Sequence, residues 1–371
     1  MMRLLLIHPE PKHFAGAEAM LVYFLEGLLS APCEVVVAIS KEGAFANRIP
    51  NRVEQIRIND NLAFSIAGLS RQIAELTRHH RLKPFDIIHG WAARDWELAA
   101  LLGHWVRRPA VGTLHDHPQA RFISSKRRFL MRWSARCGLG KVVCVSEAVR
   151  RACLAASYPK NKLQVVHNGL PDFPAVRPAK SPAIFRLGFL GAFSVRKGLQ
   201  LLFEIASVLS NLTPRPWELH LAGDAQEDAS RQWLEQIRQR FSQECWWSQV
   251  HWHGWVDEPI EFLKSLDLLI VPSSEFDPLP TVLLEAGGVG LPVLAARVGG
   301  VEEIVIANQT GWLFERGNCR QAADILSRLL AEPDQLRLAG LAAFQRIRAE
   351  FSIGKMVDNY LKAYSNMQSN V

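Results

Sequence analysis

Short apolar runs alternate with longer stretches in which apolar residues recur at helical spacing, and the alternation continues along the chain. Runs at 3–8, 33–39, 53–58, 86–90 and 110–115 read as strands. The stretch opening at Ala15-Gly16-Ala17-Glu18 carries Met20, Leu21, Phe24, Leu25 and Leu28 on one helical face, and 69–80 and 96–102 have the same period. The second half repeats the scheme. Strands are predicted at 186–191, 217–222, 250–256, 268–271 and 291–295, with helices at 199–209, 230–241, 319–330 and 335–351, and a last amphipathic helix at 355–364. Strand, helix, strand in regular succession predicts parallel, doubly wound sheets.

At 371 residues, 49% hydrophobic and 21% charged, the chain suits two soluble domains of roughly 170 residues each. The proline-rich stretch with Pro171, Pro174, Pro178 and Pro182 is the natural linker. The expected division is 1–172, a linker at 173–183, a second domain at 184–353 and a crossing-back helix at 354–371. Six scattered cysteines without a CxxC pair fit a reduced cytoplasm. The apolar core of the amino terminus is too short for a signal peptide, and no run is long enough to span a bilayer.

A net charge of +7 favours anionic partners without choosing among them. Nucleic acid is the weakest candidate, because no zinc-finger spacing, basic zipper or RNA-binding aromatic signature is present. Between 124 and 141, Lys126, Arg127, Arg128, Arg132 and Arg136 are interleaved with Phe129, Leu130, Met131 and Trp133. Such a basic amphipathic helix either lies on an anionic membrane or packs its aromatic side on the sheet.

Candidate chemistry gathers where strands end. After the run 268–271, Pro272-Ser273-Ser274 leads to Asp277, and Pro280 opens a helix that carries Glu285 and weakens at Gly287, Gly288 and Gly290. One acid on the loop and one in the helix place both at the crevice where open α/β sheets bind ligands. Lys197-Gly198 follows a strand and precedes a helix, a place for an anion. Gly16 occupies a similar position, or serves only a tight turn. His89 and His115 stand at strand ends, each with the alternative of an ordinary buried histidine. Reading His115-Asp116-His117 as metal ligands fails for lack of a third ligand, and His251 with His253 share a face without framing cysteines or acids.

The order of these features resembles the retaining family 4 glycosyltransferases of the GT-B fold. Asp277 and Glu285, followed by Ala286, a small-residue turn and Leu291-Pro292-Val293, are similar to that family's acid signature. Gly299-Gly300-Val301-Glu302-Glu303 and Asn308-Gln309-Thr310-Gly311-Trp312 match its next landmarks. Gly16 and Glu18 fit a Gly-Gly-x-Glu motif whose first glycine is Ala15 here. His115-Asp116, Val145-Ser146 and His167-Asn168-Gly169 fit further ones. The family usually has Glu at the first acid, so either Asp277 or Glu275 fills that position. Ala192 stands where the family has an arginine, and Arg196 is the candidate replacement.

The resemblance implies an α/β GT-B enzyme with two Rossmann-like parallel-sheet domains facing a central cleft. It implies transfer of a sugar from a UDP-, GDP- or ADP-linked donor to a glycan, lipid-linked or small-molecule acceptor, in cell-envelope polysaccharide or lipopolysaccharide synthesis. Lys197, Arg196, Gly16 and the turn Leu279-Pro280-Thr281 would hold the diphosphate, Glu285 the ribose, and Asp277 and His115 the sugar. Glu18, Glu275 and Asn168 are further candidates. No cofactor and no metal are expected, since no Asp-x-Asp motif accompanies the diphosphate site. The expected location is cytoplasmic, with peripheral contact at the inner membrane face through 124–141. The alternatives are a GT-B nucleotide-sugar epimerase and a non-catalytic sugar- or lipid-binding homologue.

Overall fold

The apolar runs assemble into two all-parallel sheets in a computed structural model that describes residues 1–9, 16–41, 44–59, 65–174, 183–225 and 227–368. The first contains β1 (Met2–Ile7), β2 (Cys33–Ser40), β3 (Glu54–Ile58), β4 (Ile87–Gly90), β5 (Ala110–Leu114), β6 (Lys141–Cys144) and β7 (Leu163–Val165). The second contains β8 (Phe185–Leu190), β9 (Trp217–Ala222), β10 (Val250–Gly254), β11 (Leu268–Val271), β12 (Val293–Ala296) and β13 (Trp312–Phe314). Their spatial orders are β3-β2-β1-β4-β5-β6-β7 and β10-β9-β8-β11-β12-β13. Each chain path leaves its first strand in one direction and then returns to its other side. The turning points therefore lie between β1 and β4 and between β8 and β11, where such sheets open a crevice at their carboxyl ends.

The central strands are buried on both faces: Leu4 to Ile7 and all four residues of β11 and β12 are sealed from solvent. That burial explains why the pattern is continuous rather than alternating. Two compact units result. One comprises Met1–Pro171 with Ser352–Val371, and the other Asp172–Phe351. The final helix, Ile353–Gln368, is thus part of the first unit, where Met356, Val357, Tyr360, Ala363, Tyr364 and Met367 are buried.

Three details differ from the sequence expectation. The basic stretch at 124–141 is a helix only over Ser125–Trp133, capped by the Ser124 hydroxyl, and widens into a π turn over Ser134–Gly138. There Gly138 packs so closely on Ala100 that a side chain would collide. Pro280 stands just before the helix Thr281–Gly288 rather than within its first turn. His89 enters no crevice: its ring is buried and hydrogen-bonded to Tyr364 Oη at 2.7 Å and Thr113 Oγ1 at 2.8 Å, fastening the last helix to the sheet. The loop at 10–15, which includes Ala15, and Pro178 and Pro182 of the expected linker lie outside the described residues.

Candidate active site

In the second unit the turning point between β8 and β11 is lined by the segments that follow those strands. They are stitched together through the backbone: Ser274 N donates to Arg196 O at 2.9 Å, and the Ser274 hydroxyl donates to Val195 O. Gly198, with φ of +75°, allows the approach; a Cβ there would sit 1.9 Å from Pro272 O. Gly299, at φ +56°, does the same behind Asp277, and Gly300 N donates to Asp277 O at 2.9 Å. Both glycines meet the positive-φ requirement that other residues satisfy poorly.

This framework brings Lys197 and Asp277 together. Lys197 Nζ donates to Asp277 Oδ2 at 2.8 Å, and Ser273 Oγ donates to the same oxygen at 3.0 Å. Burial alone would raise the Asp277 pKa, but Lys197, with help from Arg196 and Ser273, holds it below the ordinary carboxylate value. Of the two candidate first acids, Asp277 is therefore the one beside the cation. Glu275 is half-buried and forms no hydrogen bond or ion pair among the described residues. Arg196 uses its carbonyl in the framework, while its guanidinium makes no hydrogen bond or ion pair among those residues. A cation already matched to an acid thus sits beside one that is not.

Leu279 and Pro280 are buried at the entrance to the helix Thr281–Gly288, and Thr281 begins it. Its first N–H groups have no intrahelical acceptor, which suits an anion. Glu285 lies in the second turn, only 8% exposed, and its carboxylate has no hydrogen-bond or ion-pair partner among the described residues. Burial pushes its pKa up to about 7. An unpartnered buried acid is costly to the fold, whereas a ligand hydroxyl donating to it would relieve that cost.

The first unit carries a different arrangement at its turning point. His8, just after β1, is fully buried, with Nδ1 2.9 Å from Asp95 Oδ2 and Nε2 3.1 Å from Glu18 Oε1. Burial opposes its protonation, but the two carboxylates outweigh that and raise its pKa. Arg94 completes the group, 3.8 Å from Glu18 Oε1. Gly16 begins the helix Gly16–Leu28, so Glu18 reaches His8 from the first helical turn. His115, just after β5, packs on the Trp91 ring at 5.0 Å. Its Nε2 lies 3.1 Å from the Trp91 carbonyl. Because a carbonyl only accepts, Nε2 carries the hydrogen and Nδ1 keeps its lone pair. Burial lowers the His115 pKa to about 4, so the ring is neutral near pH 7.

His8, Arg94, Asp95 and Ser273 were not singled out from the sequence. His8 carried the same signal as His115, a polar residue closing an apolar strand, but its partner Asp95 is distant along the chain. Asn168 is buried, with Oδ1 lacking a hydrogen-bond partner. The next residue, Gly169, packs so tightly on Ser352 that this segment forms the junction with the last helix. His115 and His117 do not converge, since His117 Nδ1 accepts from Gln119 N instead. His251 and His253 differ from expectation: the neighbouring strand supplies an acid, and Glu218 Oε1 is 3.7 Å from His251 Nε2.

Comparison with known proteins follows the same two-unit division. Residues 184–332 match the model of the glycosyl transferases group 1 family, and residues 14–172 match that of Glycosyltransferase Family 4. The lipopolysaccharide core biosynthesis glycosyltransferase LpsE of Rhizobium meliloti is 24% identical over 357 residues, covering 94% of this chain and 95% of that protein. Among solved structures, Anabaena HepE in complex with UDP-glucose aligns with a TM-score of 0.83 at 20% identity, over 99% of this chain and 100% of that one. The lipopolysaccharide outer core galactosyltransferase WaaB in its apo form aligns with a TM-score of 0.75 at 16% identity, over 99% and 100%.

Proposed function

Because the chain belongs to the group 1 glycosyltransferases and has the GT-B architecture, we propose that it transfers a sugar, with retention at the anomeric carbon, from UDP-linked donor to a glycan or lipid-linked acceptor of the cell envelope. The observation that carries this reading is the Lys197–Asp277 pair beside the unpaired Arg196, at the turning point of the second sheet. UDP is preferred over GDP and ADP because HepE was solved with UDP-glucose. The envelope acceptor rests on the likeness to LpsE.

The chemistry asked of the site is cleavage of the bond between the anomeric carbon and the diphosphate. The electron pair leaves with the phosphate oxygen, and the acceptor hydroxyl oxygen bonds to the same face of the carbon. Attack on that face places the acceptor hydroxyl beside the departing oxygen, which takes its proton. Arg196 and Lys197, with the first N–H groups of the helix Thr281–Gly288, stabilise the growing negative charge. With these cations in place the reaction requires no metal at the diphosphate. Glu285 accepts from the ribose hydroxyls, Asp277 from sugar hydroxyls, and the lone pair on His115 Nδ1 from another. Gly16 leaves backbone room for the donor, and Glu18 acts through His8.

Contact with an anionic membrane through 124–141 belongs to the same proposal. Phe129 is 62% exposed and Trp133 39% exposed on the helix Ser125–Trp133, beside Lys126 and Arg132. No helix among the described residues is long and apolar enough to cross a membrane, so any membrane contact made by these helices lies at its surface.

The test is donor turnover by purified protein across UDP-, GDP- and ADP-sugars in the presence of a chelator, with the product anomer read by NMR. Transfer from a UDP-sugar with retained configuration, lost in Glu285→Ala, supports the reading. No turnover of any donor across candidate acceptors would favour a sugar-binding protein, and inverted product would remove the retaining assignment.

A further inference from the structure

The second sheet carries another group of chemistry-bearing side chains, on the strands themselves rather than in the loops at their carboxyl ends. On β9, Glu218 and His220 alternate with the buried Trp217, Leu219 and Leu221. On the edge strand β10, His251 and His253 alternate with Val250 and Trp252, which pack on the core. The parallel register sets His251 beside His220, so all four polar side chains emerge on one face.

Their geometry is that of a ligand set. Glu218 Oε2 is 3.2 Å from His220 Nε2, and Glu218 Oε1 is 3.7 Å from His251 Nε2. The His220 and His251 rings stack with centroids 4.7 Å apart. One ligand atom from each of Glu218, His220 and His251 lies within 4.8 Å of the others. Tetrahedral zinc with bonds of about 2.0–2.2 Å holds its ligand atoms roughly 3.4 Å apart, so small rotations complete such a site. His220 Nδ1 lies 3.0 Å from His253 Nε2. With Nε2 of His220 on an ion, its Nδ1–H donates to His253, which fixes the ring and its tautomer from outside the coordination shell.

A cluster kept only for packing has no need of this convergence. Protonated, the three imidazoles would repel one another.

We infer that Glu218, His220 and His251 bind a divalent transition ion of the zinc class, with a fourth position open to water, and that the ion clips the edge strand β10 to β9. Two nitrogens and one carboxylate oxygen favour zinc or its softer neighbours over magnesium. The site is independent of the donor chemistry proposed above.

Tag-free full-length protein, stripped by chelator and dialysed, tests this in a calorimetric titration with zinc chloride and in a thermal melt. The expected result is one ion per chain with micromolar or tighter affinity, a raised melting temperature, and no response to magnesium. His251→Ala and Glu218→Gln should each weaken binding at least tenfold, and His253→Gln by about tenfold. His79→Ala, which removes a histidine elsewhere, should leave binding unchanged. His251 is an exposed edge residue and Glu218→Gln preserves shape, so both variants fold, as circular dichroism will verify. Zinc binding that is absent, or that persists unchanged in both variants, overturns the inference. UDP-sugar turnover should survive His251→Ala; a loss there would also contradict a site separate from the donor.

Discussion

The two sheets turn at equivalent places yet use them differently. In the first unit the polar residues at the turning point bind one another: His8 is enclosed by Asp95 and Glu18, and His115 has spent one nitrogen on a backbone carbonyl. The neutral Nδ1 of His115 is left without a hydrogen bond among the described residues. In the second unit, the equivalent loops pair Lys197 with Asp277 but leave Arg196 and Glu285 unmatched among the described residues. One turning point has its charged groups matched among themselves beside a neutral imidazole, and the other keeps a cation without a partner among the described residues. On the proposed function, a diphosphate would suit the second and a sugar hydroxyl the first.

The largest effect on this contrast should come from Lys197→Ala. Removing the cation leaves Asp277 buried without its main partner, and sugar transfer should fall by about 10²–10³-fold, with stability reduced by about 3–5 kcal/mol. Steady-state kinetics and denaturant melts measure the two losses. Gly198→Ala should come next, because a Cβ would meet Pro272 O at 1.9 Å and φ is +75°. A loss of about 1–3 kcal/mol and a raised donor KM are expected.

The pH dependence of donor binding tests Glu285. Its pKa of about 7 lies above the ordinary 4.5, so the folded protein keeps a proton that the unfolded chain has lost between those values. Stability of the free protein should therefore fall as pH rises from about 4.5 to 7. A ribose donating to the carboxylate needs it charged, so UDP-glucose should bind more tightly as pH rises toward 7, by up to about tenfold per pH unit, and level off above. Glu285→Gln should abolish the slope. Asp277 behaves oppositely: its pKa is lowered, so its contribution to stability is present above 3.8 and is lost only on further acidification. The smallest effect is expected from His115→Ala, about a tenfold loss of turnover, since it removes one neutral hydrogen bond.

Much of this was legible in the sequence because it depends on local order. The alternation of apolar runs with helical periods announced parallel sheets, and prolines and glycines marked where the helix bearing Glu285 starts and stops. Asp277 and Glu285 stood out through their placement after β11. What was not legible depends on residues far apart in sequence. Nothing near His8 points to Asp95, and nothing in β10 points to Glu218 on β9; strand pairing alone creates those contacts. His89 shows the converse, because a strand-end histidine looks alike whether it faces a crevice or a tyrosine from the last helix.

On the proposed function, the second unit's turning point holds a diphosphate through Arg196 and Lys197. Calorimetric affinities of UDP and of uridine, compared between the wild type and the Arg196→Ala/Lys197→Ala double variant, test it most directly. UDP should bind far more tightly than uridine to the wild type, and the two affinities should converge in the variant. An advantage of UDP over uridine that survives both substitutions would contradict it.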